Sequence, residues 1–485
     1  MKYPKILSTA GLIFIFYFGI SGILFSQETS KDRFGVPDRP IYVGNNQVEI
    51  SLGEAQKKII EKAARVTPSS NQLNWQQSEF NAFIHFGPNT FMDKEWGDGK
   101  ADPAIFNPSK LNARQWVRAF QLAGMKMVVL TVKHHDGFCL WPTRFTAYNI
   151  SATPWRKGKG DLVREVSDAC KSYGMKFGIY VSPWDRHESS YGDSQKYNEF
   201  FRNLLKELLS GYGDISEVWF DGACGEGPNG KKQVYDWSSY YQLVRELQPG
   251  AVIAIMGPDV RWVGNESGYG REEEWSVIPM DEESFVPRDL MEVDLGSDKE
   301  LQHAKVLRWY PAETDVSIRP GWFYHAKEDS LVKTADKLVD IYFNSVGRNS
   351  VLLLNVPPNQ KGLIHKNDVK SLSGMRKKLS QIFSDNILTK ATVGGNYPVF
   401  EYNFPKPVKF NVALIQEDIK VGQRIEKFHF EIWDGQYWKP LVAGTTVGYK
   451  RLFRFPEVTV QRVRLVIDQA RDLPSILKIG LYSAP

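Results

Sequence analysis

Cysteine is scarce: Cys139, Cys170 and Cys224 are the only three in 485 residues. Three scattered thiols cannot build a disulfide framework, so the fold has to be stabilised by burial, and each thiol is expected to be buried in or near an apolar segment. An excess of one charge is missing too. The net charge is +5, with acids and bases interspersed, and without a basic stripe no nucleic acid or other polyanion is expected as a partner. Neither GxGxxG nor GxxxxGK[ST] follows any apolar run, which removes the usual phosphate-cradling signatures.

What is present begins with an N-terminal MKYPKILSTAGLIFIFYFGISGILFSQ, where Lys2 and Lys5 precede an apolar stretch broken by small residues. That is the pattern of a secretory signal, residues 1–27, cleaved near Ser26 or Gln27. An uncleaved anchor is the alternative, because the stretch nearly spans a bilayer. No Cys follows it, which argues against a lipid anchor. The expectation is a protein secreted across the inner membrane into the periplasm, with no stable membrane insertion after signal cleavage.

Short apolar strands then alternate with amphipathic helices: FNAFIHFG (80–87), MKMVVLTV (125–132), KFGIYVS (176–182), SEVWFDG (216–222), AVIAIMGP (251–258), a weaker EWSVIP (274–279), KVLRWYPAE (305–313) and VLLLNVPP (351–358). Repeated strand-helix units with near-continuous apolar strands imply a parallel sheet buried on both faces. Eight of them favour a closed (β/α)8 TIM-like barrel over an open doubly wound sheet. From about residue 375 the pattern changes to short strands and turns, including WDGQYWKPL with its Asp434-Gly435 turn, and reads as an all-β sandwich. The expected organisation is therefore residues 1–27 signal, 28–374 barrel with an N-terminal extension, and 375–485 sandwich. The sandwich is either a packing domain or a sugar-binding module.

Aromatics make up 13% of the chain, with 14 Trp, many beside loop residues. In a parallel barrel the reacting groups gather at the carboxyl ends of the strands. There the sequence places His85, then His134 and His135, then Tyr180, then Trp219 and Asp221. A carboxylate ending a buried run is costly unless it is paired or used in chemistry. Three His and an Asp could ligate a metal. However, adjacent His134 and His135 point to opposite faces of an extended chain unless the strand ends between them, so no metal and no cofactor is expected. Sugar hydrolysis fits better, with imidazoles for hydroxyls, aromatic faces for C–H surfaces and a pair of carboxyls for the glycosidic bond. The partner of Asp221 is sought among Glu226, Glu266 and the run Glu272-Glu273-Glu274. Glu226 and the run read as solvated loop and exposed face, although Glu274 could be internal. Glu266, in a loop with Trp262, Gly264 and Gly268, is favoured, and Trp262 is expected to contact the substrate beside it.

The ordered motifs FIHFGPNTF, KEWGDG, TVKHHDGFCLWPT, FGIYVSPWDRH, EVWFDGACGEGPNGK, GPDVRWVGNESG and IRPGWFYH resemble those of the α-L-fucosidases of glycoside hydrolase family 29, most closely the subgroup acting on α-1,3/1,4-linked fucose. The resemblance implies an exo-acting, retaining fucosidase whose substrate is a fucosylated glycan. It also implies Asp221 as nucleophile and Glu266 as acid/base. His85, His134, His135, Glu95 and Trp96 would then contact fucose hydroxyls, Tyr180 and Trp219 would be pocket aromatics, and Trp322 would lie near the methyl group. The C-terminal module resembles the sandwich that follows the barrel in that family. Two rival readings are a non-catalytic carbohydrate-binding barrel and a metal-dependent hydrolase.

Overall fold

The computed structural model describes residues 45–280 and 293–484; the expected signal segment lies outside them. Eight parallel strands form the barrel: β1 Phe80–Ile84, β2 Met127–Lys133, β3 Lys176–Val181, β4 Glu217–Phe220, β5 Val252–Ile255, β6 Arg261–Trp262, β7 Ala312–Ser317 and β8 Val351–Asn355. β1 to β5 pair in order, β6 pairs with β7 and β7 with β8, and β8 returns to β1 through Leu352↔Phe80. The seam between β5 and β6 closes through a bridge of Ala254 to Val260.

Helices α1 Ala113–Ala123, α2 Leu162–Ser172, α3 Ser194–Gly211 and α4 Trp237–Leu247 follow the first four strands, α5 Ala335–Asn344 lies between β7 and β8, and α6 Lys366–Ile382 follows β8. Their starts are set by short polar caps. Asn112, Asp161, Asp193, Asp236 and Thr334 each accept a backbone N–H of the first turn, which satisfies a donor the helix cannot. Apolar residues on the inner helix faces meet the outer faces of the strands in one large core. A second cluster, including Phe83, Val129, Tyr180, Trp219, Val252 and Leu353, fills the barrel.

Two expected strands are placed differently. EWSVIP is not a stave of the barrel: Val277–Met280 pairs antiparallel with Val306–Trp309, which pairs antiparallel with Gln47–Glu49 in a separate three-stranded sheet. KVLRWYPAE is split, with Val306–Trp309 in that sheet and Ala312 opening β7; Pro311, which has no N–H to donate, stands between the two. The sixth stave is the two-residue β6, joined to β5 with no intervening helix. Its pairing is short but sufficient to close the ring.

Beyond the barrel, Thr392–Gly394, Val399–Glu417, Ile425–Trp433, Trp438–Gly444, Arg451–Ala470 and Ile476–Tyr482 pair antiparallel. The two longest strands shift register between Asn403 and Val408 and again between Phe410 and Val412, and such irregularities bend a sheet. Tyr402 and Phe404 before the bends share one core with Ala413 and Ile415 after them. The sandwich is thus one sheet folded over itself. The boundary expected at 374/375 falls inside α6.

The seam between the two modules is apolar where Val412, Leu414, Leu452 and Tyr482 join the barrel's main core, and polar elsewhere. Gln423 of the sheet module accepts from Ser276 N at 2.8 Å and donates to Glu274 O at 3.2 Å. Asn349, in the αL conformation with φ 58°, donates to Glu274 O and accepts from Tyr449 N.

Candidate active site

The carboxyl ends of the strands enclose a cavity of about 210 Å3 lined by Phe83, His85, Glu95, Trp96, His134, His135, Tyr180, Trp219, Asp221, Ala223, Glu266, Asp315 and Trp322. This is smaller than the roughly 300–1,000 Å3 typical of sites for drug-sized ligands. It suits a single sugar ring. Ten of the eleven residues that sequence reasoning proposed for the site line it.

Period two explains how β4 supplies its share. Glu217, Trp219 and Asp221 alternate onto the inner face, with Asp221 just beyond the last strand residue. Its carboxylate is held by two donors: Tyr180 OH reaches Oδ2 at 2.8 Å and Ala223 N reaches Oδ1 at 2.7 Å. Tyr180 is itself fixed by stacking on Trp219, with ring centroids 5.0 Å apart.

His134 and His135 both face the cavity, contrary to the opposed orientation expected of an extended chain. Strand β2 ends at Lys133, before either of them, and their rings lie 4.2 Å apart. Lys133 is buried and bridges to the end of β3, donating to Ser182 O at 2.8 Å and pairing with Asp185 at 3.0 Å.

The three histidines are neutral in the folded protein. Burial pushes His85 down to about 3 and His135 to about 4, in the latter case against the pull of Asp221; burial also takes His134 well below its ordinary value. A neutral imidazole offers one donor and one acceptor. His85 uses Nδ1 on Asn355 at 3.0 Å and His135 uses Nδ1 on Ser182 Oγ at 2.7 Å, which leaves Nε2 of each for a ligand. His135 Nε2 stands 3.8 Å from Asp221 Oδ2.

Two loops complete the rim. Glu95 accepts from the backbone of Trp322 at 2.8 Å and of Phe323 at 3.2 Å. The Trp322 indole donates to Glu266 Oε2 at 3.3 Å and its ring lies 5.1 Å from that of His85. Glu266 is exposed at the mouth, and Trp96, 57% exposed, leans edge-on against His135. The competing acids go elsewhere. Glu226 is exposed away from the cavity, and Glu274 is internal but committed to ion pairs with Arg261 and Arg271.

Trp262 is the exception. It is absent from the cavity wall, and its indole donates to Asp315 Oδ1 at 2.8 Å. Asp315 was missed by sequence reasoning, as were Asn355 and Ser182. Burial raises Asp315 to about 7. Below it in the barrel, Glu313 accepts from the Trp219 indole at 2.8 Å and Glu217 from the Trp75 indole at 2.9 Å; burial raises Glu217 to about 7, and burial together with the Glu217 charge holds Glu313 well above its ordinary value. The acids at 313 and 315 share one face of their strand, but with Thr314 between them and Ser317 after them AETDVS shows no clean apolar alternation to mark that face as inward. Among the thiols, Cys139 and Cys170 are buried, but Cys224 is only half-buried, near Tyr191 OH.

A family profile described as Alpha-L-fucosidase matches residues 51–381. Alpha-L-fucosidase 1 of Arabidopsis thaliana is 45% identical over 455 residues, covering 86% of this chain and 87% of that protein. Among solved structures, a glycoside hydrolase 29 family member from an unknown rumen bacterium superposes with TM-score 0.81 at 41% identity, covering 86% of this chain and 77% of the other. A Ruminococcus gnavus GH29 fucosidase in complex with fucose does so with TM-score 0.78 at 31% identity, covering 86% and 95%. With the profile spanning most of the barrel and the plant relative matching along most of both lengths, the chain belongs to the α-L-fucosidase family of glycoside hydrolases.

Proposed function

We propose that this α-L-fucosidase is exo-acting on α-1,3/1,4-linked L-fucose of fucosylated glycans and retains configuration through a double displacement. The observation that carries the reading is the cavity itself. It has the size of one sugar ring, with Asp221 pinned at the end of β4 and Glu266 at the mouth. A terminal residue bound there would have its leaving group directed outward, past Glu266.

In this mechanism the ionised Asp221 attacks the anomeric carbon while Glu266 gives its proton to the departing oxygen; Glu266 then takes a proton from the water that releases fucose. The two donors on Asp221 orient its oxygens for attack. Neutral His85, His134 and His135 can each donate to or accept from a sugar hydroxyl without bringing a positive charge beside the nucleophile. The linkage preference is supported by the resemblance of GPDVRWVGNESG, which contains Glu266, to the 1,3/1,4 subgroup. The N-terminal pattern supports secretion across the inner membrane into the periplasm, which cell fractionation with and without residues 1–27 tests.

A linkage panel decides the substrate: α-1,3- and α-1,4-fucosylated trisaccharides are turned over, with little action on an α-1,2-linked one or on 4-nitrophenyl α-L-fucoside. Equal rates across the panel would remove the linkage assignment. For the acid/base, azide is expected to restore Glu266→Gly on an activated aryl fucoside, because a small anion can replace the missing base. Rescue at Glu274→Gly instead would move the role.

A further inference from the structure

His325 closes the IRPGWFYH motif; it does not itself line the cavity, but it bonds Glu95, which does. It sits between two carboxylates. Nδ1 is 2.5 Å from Asp93 Oδ1 and Nε2 is 2.6 Å from Glu95 Oε1. Asp93 and Glu95 come from the loop after β1, whereas His325 follows β7, so the ring staples together segments 232 and 230 residues apart in sequence. The same Glu95 carboxylate also accepts the backbone N–H groups of Trp322 and Phe323. Trp322 in turn donates to Glu266. The fit is tight around this staple: a Cβ on Gly321 would lie 2.6 Å from Glu95 Oε1 and 3.0 Å from the His325 ring. Asp93 is held in the left-handed region, φ 57°, to make its contact.

We propose that His325 is a positioning residue for the sugar pocket, its ring clamping Asp93 to Glu95 and so fixing the two loops that present Glu95, Trp96 and Trp322 to the sugar. The proposal rests on the reading of this cavity as the fucose site. To occupy both carboxylates the imidazole must donate from both nitrogens, which only the protonated ring can do. Burial opposes that state, but the hydrogen bonds to Asp93 and Glu95, together with the charges of Glu95 and Glu328, outweigh it and raise His325 above its ordinary value. Lys327 acts on the other side, stabilising the Asp93 charge. Glu328, from the turn Ala326–Glu328, accepts from Gly321 N at 3.2 Å and so faces the same staple. The sign follows directly. The clamp is intact below the raised pKa and is lost as pH rises through it, when one carboxylate is left facing a ring lone pair.

The test measures L-fucose affinity by calorimetry and KM and kcat on the preferred oligosaccharide, across pH 5–9, on the full chain. In the parent protein fucose affinity falls about tenfold as pH rises through the His325 transition, the scale of one lost charge-assisted hydrogen bond, while kcat changes less than KM. His325→Gln has weak affinity throughout and no transition. Asp93→Asn, at an exposed position, keeps the ring but removes one charge, so the transition moves to lower pH. If His325→Gln, folded by circular dichroism, keeps the parental profile, the proposal falls. Should His325→Gln not fold, an unmoved transition in Asp93→Asn overturns it equally. Asp221→Asn separates the two levels. Full turnover there defeats the site reading itself, whereas loss of turnover with an unchanged His325→Gln profile defeats only the clamp.

Discussion

At the scale of single residues, Asp221 concentrates the chemistry because its strand leaves it beside Tyr180 OH and Ala223 N and in one cavity with three uncharged imidazoles. Asp221→Asn keeps the shape and one accepting oxygen, turns the other into an NH2, and removes the nucleophilic charge. It is expected to lower kcat by roughly 10^4-fold or more, as losses of a covalent nucleophile do, with Tm little changed; ordinary turnover would refute the role. The imidazoles carry a pH signature of their own. His85 and His135 fold with values of about 3 and 4 against 6.5 when free. The unfolded chain therefore binds protons first, and the stability they contribute, complete above 6.5, is lost as pH falls toward 4 and 3. Buried acids such as Asp315 and Glu217, raised to about 7, act in the opposite direction as pH rises. Comparison with a variant is therefore needed: His85→Gln should flatten the fall in Tm between pH 6.5 and 4, an effect worth a few kcal/mol at most. An identical slope in both proteins would show that His85 is not the group responsible. His85, His134, Tyr180 and Asp221 were legible in sequence because each ends an apolar run. Asp315 and Asn355 were not, since a polar residue inside an apolar strand has no local mark of whether it faces a core partner or a cavity.

At the scale of elements, most strands and helices could be read from period and caps, because a barrel stave buried on both faces and a helix begun by Asp or Asn carry their own signals. The sixth stave could not. Two residues, Arg261 and Trp262, are too short to show any period, while EWSVIP has an apolar run whose antiparallel partners lie in distant segments. Pairing partners are a tertiary property, and the run alone is compatible with either sheet. The short β6 has a functional consequence, for it launches the loop that carries Glu266. In that loop Gly268 adopts φ +83°, and a Cβ there would meet Val316 and Ile341 side-chain carbons at 3.0 Å. Gly268→Ala must therefore strain the backbone or shift the loop, costing about 1 kcal/mol or more. It is expected to lower kcat several-fold together with a small drop in Tm. A lower Tm with unchanged kcat would mean that the loop does not position Glu266.

At the scale of the whole molecule, two modules were visible in sequence as a change of period near residue 375, but the seam between them was not, because its apolar residues look like any core residue and its polar ones are single residues with no pattern. Gln423 shows what the seam requires. Its amide satisfies the buried Ser276 N–H and Glu274 carbonyl and also contacts Thr446, while Glu274 itself neutralises Arg261 at the start of β6. The sheet module thus supplies hydrogen bonds that the barrel's own backbone lacks near its shortest stave, and the two should unfold together. Gln423→Ala leaves the buried Ser276 N–H without its acceptor, costing about 1–3 kcal/mol, and removes one of the two amide donors on Glu274 O, which keeps Asn349. The expected result is a Tm lower by several degrees with a single calorimetric transition, and with kcat and KM near parental values because every residue lining the cavity belongs to the barrel. Two resolved transitions, or a Tm equal to the parent's, would show that the sheet module is an independent appendage and that the barrel closes without it.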